Sequence, residues 1–360
     1  MIASVARNDI VINKKDTNEK LKNRNIVLDI LRIIACFLVI VCHTYTLGFN
    51  ETEYNLTWFL SVAIYLISKT AVPIFFMISG FLNLRKDYTY KESIKKTITR
   101  LFIPLLLFSA LIYFKDHMEL SLQNFYNFIV DFLQEDIMQH YWFLYSLIGM
   151  YLLTPIIRKM VKNFEEKDYK YFIIIWIISL CVLPLIKKFL QIDITNRIPI
   201  ITGYVGYYIL GYYVFSKNFM RNKKWLLINV FSFLFTIVIS TIITYLDCNH
   251  SNKYNVFLDQ LNYLSIMIPT VNIVYVVRYI FENKIENTKI INLIIVISST
   301  TFGIYLIHGV LLGKFKLIFN FMSTYIPDLI ATVFMQISIF ISLTIVIYCI
   351  KKIPIIKNLL

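Results

Sequence analysis

Long apolar runs dominate this sequence and limit what it can fold into. Runs of about 20 apolar residues recur along the chain, and each is long enough to cross the hydrocarbon core of a bilayer as a helix. The composition agrees, since 58% of the 360 residues are hydrophobic and only 16% are charged. Soluble domains carry about 25% charged residues. The sequence therefore predicts an all-α, polytopic membrane protein with about ten transmembrane helices. The predicted spans are 26–48, 57–84, 101–114, 141–157, 171–186, 198–216, 225–246, 261–280, 290–312 and 329–350.

The positive charge is concentrated in alternate connections between these spans. The formal net charge is +14, and 27 of the 36 Lys and Arg residues fall on one predicted side of the membrane. Because Lys and Arg mark the cytoplasmic side, we expect both termini in the cytoplasm. The expected organisation is a basic cytoplasmic tail over 1–25, a transmembrane domain over 26–350 and a cytoplasmic tail over 351–360. The charge thus indicates topology in a lipid bilayer, and we expect no nucleic-acid partner.

Three ionisable residues occur in the first span, where the bilayer should exclude them. Asp29, Arg32 and His43 are costly in hydrocarbon, so such groups usually face the bundle interior and mark function. Arg32 and His43 are 11 residues apart, which puts them on one helix face with a rise of about 16 Å. Asp29 can pair with Arg32 across one turn, although both also lie near enough to the interface to snorkel. His43 precedes Thr44, Tyr45 and Thr46 and fits the wall of a polar cavity.

Four further residues are weaker candidates for binding a substrate. His308 lies near the outer end of the ninth span, with Tyr305 one turn before it, and its position matches that of His43 in the first span. The two histidines therefore suggest one shared site. Trp142 lies at the outer interface, where an aromatic belt is expected in any case. Ser79 forms a pair with Gly80 that fits helix packing as well as it fits a site.

Two arginines at the cytoplasmic ends of spans are candidates for binding phosphate. Arg100 lies at the mouth of the third span, where its guanidinium can clamp phosphate groups. Arg158 follows the fourth span and is the weaker candidate. An ordinary positive flank explains both residues too, so that alternative stays open. The histidines and cysteines lack the spacing of metal ligands, and we expect no metal.

An ordered set of motifs resembles the acyltransferase family 3 membrane proteins. Arg32 and His43 are separated by ten residues, FFMISGF closes the second span and RLFIP opens the third. WFL and YLLTPIIR follow in the fourth span, and TFGIYLIH lies near the end. The family consists of integral membrane enzymes that O-acylate, most often O-acetylate, cell-surface polysaccharides and related glycans. The resemblance covers residues 25–350, the tail before it and the last ten residues excepted.

The sequence departs from the family pattern at two points. Thr97 stands where members often have a second arginine, three residues before the position of Arg100. The glutamate pair that many members carry after the tryptophan of the fourth span is also missing after Trp142. These departures place the chain nearer the polysaccharide and lipid-carrier sugar branch than the peptidoglycan branch.

The resemblance implies a donor, an acceptor and the residues that bind them. The implied co-substrate is a cytoplasmic acyl-CoA, with acetyl-CoA expected, and the implied acceptor is a glycan or lipid-linked saccharide. Arg100, with Arg158 in second place, would hold the phosphates of the donor. His308 and Tyr305 would contact the acceptor or the acyl group.

The resemblance also implies catalytic roles in the first span. His43 would remove the proton from the acceptor hydroxyl, or accept the acyl group covalently before passing it on. Arg32 would orient the substrate or stabilise oxyanion charge, and Asp29 would hold Arg32 in place.

Two functions from other classes compete with this interpretation. A transporter or exporter of a surface-polysaccharide unit would use the same buried charges as a substrate path. A structural or sensing membrane protein would have to bury Arg32 and His43 for no chemistry. Abundant Ile, Lys and Asn fit an AT-rich bacterial gene, so the expected location is the bacterial plasma membrane. The sequence carries no signal for oligomeric state.

Overall fold

The described part of the chain folds almost entirely into α-helices. A computed structural model describes residues 24–44, 54–117, 121–134, 137–182, 186, 190–191, 203–219, 221–251 and 264–353, and these contain no strand. The α-helices are α1 (Ile26–Thr44), α2 (Leu56–Ser68), α3 (Ala71–Leu84), α4 (Tyr90–Thr97), α5 (Ile103–Asp116), α6 (Leu122–Gln134), α7 (Trp142–Lys162), α8 (Glu166–Ile177), α9 (Val205–Ser216), α10 (Lys223–Ser251), α11 (Leu264–Phe281), α12 (Thr288–Met322) and α13 (Asp328–Ile350). Segments Ile98–Phe102 and Ile178–Val182 are π-helical, and Gln139–Tyr141 is a 3₁₀ turn.

Eight helical segments of the described chain are long and apolar enough to cross a membrane. They are Ile26–Thr44, Leu56–Leu84, Tyr90–Lys115, Gln139–Lys162, Lys223–His250, Leu264–Phe281, Thr288–Met322 and Asp328–Ile350. Each coincides with one of the ten predicted spans, and the all-α polytopic fold is confirmed.

The other two predicted spans and the two predicted tails lie partly outside the described residues. The fifth and sixth predicted spans coincide with α8 and α9, which have 12 residues each. Residues 183–185 of the fifth span and 198–202 of the sixth lie outside the described residues. The same holds for the predicted tails, of which only residues 24–25 and 351–353 are described, and for residues 45–48 of the first span.

The second span was predicted as one helix, but the structure divides it in two. Helix α2 ends at Ser68 and α3 begins at Ala71. The cause is Pro73, which has no N–H and whose ring would clash with the carbonyl of Lys69 in a continuous helix. The break puts Pro73 in the first turn of α3, where no N–H is needed, and it places Lys69 at a corner of the bundle.

The third span is longer than predicted. Helix α4 begins after Thr89, whose hydroxyl and backbone form a capping box with Glu92. The π-helical turn Ile98–Phe102 joins α4 to α5, so the whole segment is helical from Tyr90 onward. Residues 90–100, which the predicted spans leave between 84 and 101, are therefore helical, because the capping box starts a helix in this polar segment.

Helix α1 lies inside the bundle, and α10 lies at its edge. Helix α1 contacts α2, α3, α11, α12 and α13, and its Leu31, Ala35 and Ile40 are fully buried. On α10, by contrast, large apolar side chains such as Phe231 (70% exposed) and Leu227 (61% exposed) point away from the protein. Such an apolar outer surface matches a bilayer environment. The polar residues of α1 are thus held in the interior.

Two glycines let α3 and α9 touch through their backbones. A Cβ atom on Gly80 would lie 1.9 Å from the carbonyl oxygen of Tyr208, and one on Gly211 would lie 2.1 Å from that of Met77. Small residues at such contacts are the usual means by which membrane helices pack tightly. Of the two roles left open for the Ser79–Gly80 pair, packing falls to Gly80.

We predict that Gly211→Ala destabilises the protein by about 1–3 kcal/mol, because the new methyl group must push two backbones apart. Thermal unfolding of the purified protein in detergent measures this loss. Gly149→Ala on α7 is the matched control, since a Cβ there meets nothing within 4 Å. Equal melting temperatures for the two variants would contradict the packing described here.

Candidate functional site

A buried carboxylate organises the first helix. Asp29 is 1% exposed and accepts hydrogen bonds from Arg32 (2.8 Å), from Arg24 (2.6 and 3.0 Å) and from the hydroxyl of Ser298 on α12 (2.7 Å). A buried charge is tolerated only when it is paired and hydrogen-bonded, and here both conditions hold. Asp29 therefore fixes two guanidinium groups and ties α1 to α12.

A cavity of about 780 Å³ opens beside Arg32. We call it the basic cavity, because its lining includes one carboxylate, that of Glu92, and seven cationic side chains. These are Arg24, Arg32, Lys86, Lys95, Lys96, Arg100 and Lys351. The volume lies within the range of about 300–1,000 Å³ typical of ligand sites. Positive charge that converges on one cavity favours a polyanionic ligand, especially one with phosphate groups.

Lys96 is held in a defined position within the basic cavity. Its ammonium donates hydrogen bonds to the side-chain oxygen of Asn83 and to the hydroxyl of Tyr88 (3.1 Å). It also lies over the rings of Tyr88 and Tyr151, at 4.5 and 5.3 Å from their centroids. Ser79 lines the same cavity. The positive charge of Lys96 is thus oriented in advance of any ligand.

The two arginines proposed for phosphate binding lie in different surroundings. Arg100 is exposed and lines the basic cavity. Arg158 does not line it, and its guanidinium instead pairs with Asp87 at 2.8 Å and donates to the carbonyl of Lys86. Arg158 therefore holds the segment that carries Lys86, a cavity residue, in place.

Three histidines meet at the other end of α1. The ring centroids of His43 and His308 are 5.3 Å apart, those of His140 and His308 are 4.2 Å apart, and those of His43 and His140 are 5.8 Å apart. We call these residues the histidine cluster. The structure brings His43 and His308 together, and their sharing one functional site stays a prediction. His140, on the 3₁₀ turn before α7, is a third member that the sequence analysis missed.

The hydrogen bonding of His308 fixes its tautomer. Its Nδ1 lies 2.8 Å from the carbonyl oxygen of Tyr305. A carbonyl only accepts, so Nδ1 carries the hydrogen, and the Nε2 of the neutral ring presents a lone pair. That Nε2, like the Nε2 of His140, is buried without a hydrogen-bond partner in the described structure. One proton-accepting nitrogen, the Nε2 of His308, thus lies in the cluster with His43.

A second cavity, of about 340 Å³, adjoins the cluster. We call it the histidine cavity. Its polar lining comprises His43, Ser68, Lys69, Gln139 and His140, and its aromatic lining comprises Trp142, Phe143, Tyr204 and Tyr305. The break between α2 and α3 is what brings Lys69 here. The cavity is therefore lined by two histidines and a lysine.

The structure separates the candidate residues into two groups. Arg32, Arg100 and Ser79 line the basic cavity, whereas His43 and Trp142 line the histidine cavity. Tyr305 lines both cavities. Asp29 and His308 are buried behind the walls, 1% and 0% exposed. Arg158 lies outside both linings.

Signals for the missed residues were present in the sequence. His140 lies at the outer end of a span, at the level of His43 and His308. Its neighbours Tyr141 and Trp142 are typical of an interfacial aromatic belt, so the segment was not interpreted as part of a site. Lys69 is a charge inside an apolar run, which usually marks function. No set of three or more His, Cys, Asp and Glu residues in the described chain is arranged to hold a metal ion.

We predict that Asp29→Asn destabilises the protein by about 3 kcal/mol, because it leaves guanidinium charge without its buried partner. Asp87→Asn is the control, since it also removes a carboxylate from an arginine, but one that is 79% exposed, where a pair contributes less than about 1 kcal/mol. Unfolding of both variants in mixed micelles measures the difference. Losses of similar size would show that Asp29 is not the anchor.

Comparison with known proteins identifies the family. The model for the acyltransferase domain of acyltransferase family 3 matches residues 25–351, which is nearly the whole chain. No curated protein and no solved structure gives a significant match. The matched region includes α1 and the residues of both cavities except Arg24. The chain therefore belongs to acyltransferase family 3, and it is a membrane acyltransferase.

Proposed function

We propose that this enzyme moves an acyl group, with acetyl expected, from cytoplasmic acyl-CoA to a hydroxyl of an extracytoplasmic or lipid-linked glycan. The observation that carries the proposal is the arrangement of α1. It presents Arg32 to the basic cavity and His43 to the histidine cavity, 11 residues further on. A donor site and a transfer site thus lie about 16 Å apart along one helix.

The basic cavity suits the nucleotide end of the donor. Coenzyme A is a polyanion with three phosphates, and the cavity collects seven cationic side chains around about 780 Å³. Arg100 is exposed at this cavity and Lys96 is fixed by its neighbours. Charge-assisted contacts of this kind are the usual means of binding phosphate. The cavity belongs to the end of the bundle that carries most of the Lys and Arg, which we assign to the cytoplasm.

The histidine cavity suits the chemistry of transfer. Neutral His43 takes the proton from the acceptor hydroxyl, and the oxygen attacks the thioester carbonyl. A carbon–oxygen bond forms, the carbon–sulfur bond breaks, and the thiolate of coenzyme A leaves and takes up a proton. Lys69 lines the same cavity as His43 and supplies a positive charge near the oxyanion that develops.

The separation of Arg32 from His43 changes the role proposed for Arg32. The resemblance implied that Arg32 either orients the substrate or stabilises the oxyanion. Since about 16 Å of helix separates them, Arg32 cannot contact a carbonyl held at His43. We therefore assign Arg32, held by Asp29, to orientation of the donor, and we assign charge stabilisation to Lys69.

The location follows from the two substrates. Acyl-CoA is made in the cytoplasm, whereas a surface glycan is assembled on or across the membrane. An enzyme in the plasma membrane of a bacterium would meet both substrates on opposite faces. The apolar outer surface of α10 and the eight candidate membrane helices support a multi-pass position in that bilayer.

We predict that His43→Ala abolishes transfer of label from radiolabelled acetyl-CoA to the glycan fraction of membrane vesicles. Loss of a general base costs about 10²–10⁴-fold in rate. His117→Ala is the control, because His117 stacks on Tyr113 away from both cavities. Immunoblots confirm that the variants reach the membrane in equal amounts. Full transfer by the His43→Ala variant would rule out this role.

The same vesicles separate the enzyme from the exporter that the sequence left open. An exporter moves a polysaccharide unit and consumes no acyl-CoA. Wild-type vesicles that deliver polymer to the outer face but release no coenzyme A thiol would therefore favour export and refute the transfer reaction.

We predict that Arg100→Ala raises the KM for acetyl-CoA by about tenfold or more, because it removes a charge-assisted contact with phosphate. The kcat should change little, since Arg100 lies away from the histidine cluster. Release of coenzyme A thiol in vesicles gives both constants. Arg85→Ala is the control, because Arg85 is also exposed but lies at the end of α3 and packs over Phe81. An unchanged KM for the Arg100→Ala variant would refute the proposed donor site.

A further inference from the structure

The basic cavity and the histidine cavity are separated by two aromatic side chains. Phe143 and Tyr305 line both cavities and are each 5% exposed. Their ring centroids are 5.5 Å apart with the planes 68° from parallel, which is an edge-to-face contact. We call this pair the aromatic barrier. Rings this close leave no open passage between them.

One side of the barrier is anchored. The hydroxyl of Tyr305 donates a hydrogen bond to the carbonyl of His140, and the hydroxyl of Tyr141 donates to the carbonyl of Leu306 at 2.8 Å. These two bonds run in opposite directions between α12 and the 3₁₀ turn before α7. They fix the ring of Tyr305 at both the side chain and the helix that carries it.

The other side of the barrier is held by apolar contacts alone. Phe143 has no polar atom in its side chain, and its neighbours are other rings. Those of Phe75 and Phe76 lie 5.9 and 5.0 Å away by their centroids. Only dispersion and ring contacts hold Phe143 in place, and these can be remade in a different rotamer. Rotation of Phe143 about its side-chain bonds would join the two cavities.

We propose that Phe143, closing against Tyr305, determines which acyl groups pass from the basic cavity to His43, and that it restricts them to short chains. This inference rests on the proposed acyl transfer. The acyl group passes while it is still a thioester of coenzyme A, so the passage itself makes and breaks no bond. Transfer then follows at His43.

Two observations favour a short acyl group. The histidine cavity measures about 340 Å³, at the small end of the range for ligand sites, and it must also admit the acceptor hydroxyl. The opening that Phe143 could leave is limited by the fixed ring of Tyr305 on one side.

A closed apolar barrier also keeps water of the basic cavity away from the transfer site between turnovers.

The test compares acyl-chain preference in membrane vesicles from the native cells, which contain the acceptor. Radiolabelled acetyl-CoA and hexanoyl-CoA compete, and each ester is quantified in the glycan fraction. We expect Phe143→Ala to raise the hexanoyl-to-acetyl ratio by about tenfold or more, since a few methylene groups against a wall change discrimination by that much. Phe143→Leu should raise this ratio less. The leucine variant replaces the alanine variant in the test if the latter is absent from the membrane.

The matched control is Phe81→Ala, which removes a buried ring of the same core that packs on Phe215 and lines neither cavity. It should keep the wild-type ratio. A ratio unchanged in both Phe143 variants, with acetyl transfer intact in the wild type, overturns the barrier and leaves the proposed function standing. No ester from either donor in wild-type vesicles overturns both.

Discussion

The cost of an unpartnered charge in an apolar bundle is the constraint on which this structure depends. Asp29 is almost fully buried, and it is tolerable only because Arg24, Arg32 and Ser298 all donate to it. That requirement fixes the rotation of α1 relative to α12. Once α1 is fixed at Asp29, its other end is fixed too, and His43 faces the histidines of the 3₁₀ turn and of α12.

The sequence predicted the features that depend on a single helix. Apolar length predicted eight of the membrane helices, and helical geometry predicted that Arg32 pairs with Asp29 and shares a face with His43. Contacts between different elements could not be predicted from the sequence. His140 joins the cluster because a 3₁₀ turn folds it against α12, and Lys69 lines the cavity because a proline breaks a helix. Periodicity predicts neither event, since both depend on where the chain stops being regular.

In the proposed function, one helix carries residues for two tasks, donor binding and acyl transfer. Positive charge gathers where α1 begins, and imidazole rings gather where it ends. Because a helix is stiff, the distance between the tasks is set by the number of residues between Arg32 and His43. A deletion or insertion in that interval would rotate one group off the shared face, and the ten-residue spacing is therefore as much a structural requirement as either side chain.

The backbone contact between α3 and α9 has a consequence for how the enzyme can move. Helices that touch through Gly80 and Gly211 have no layer of side chains between them to slide or repack. The two helices form a rigid pair, and Ser79 and the first turn of α3 lie on it. A change in the shape of the cavities during a catalytic cycle is then expected at the opposite wall, where Phe143 of α7 meets Tyr305 of α12 through side chains alone.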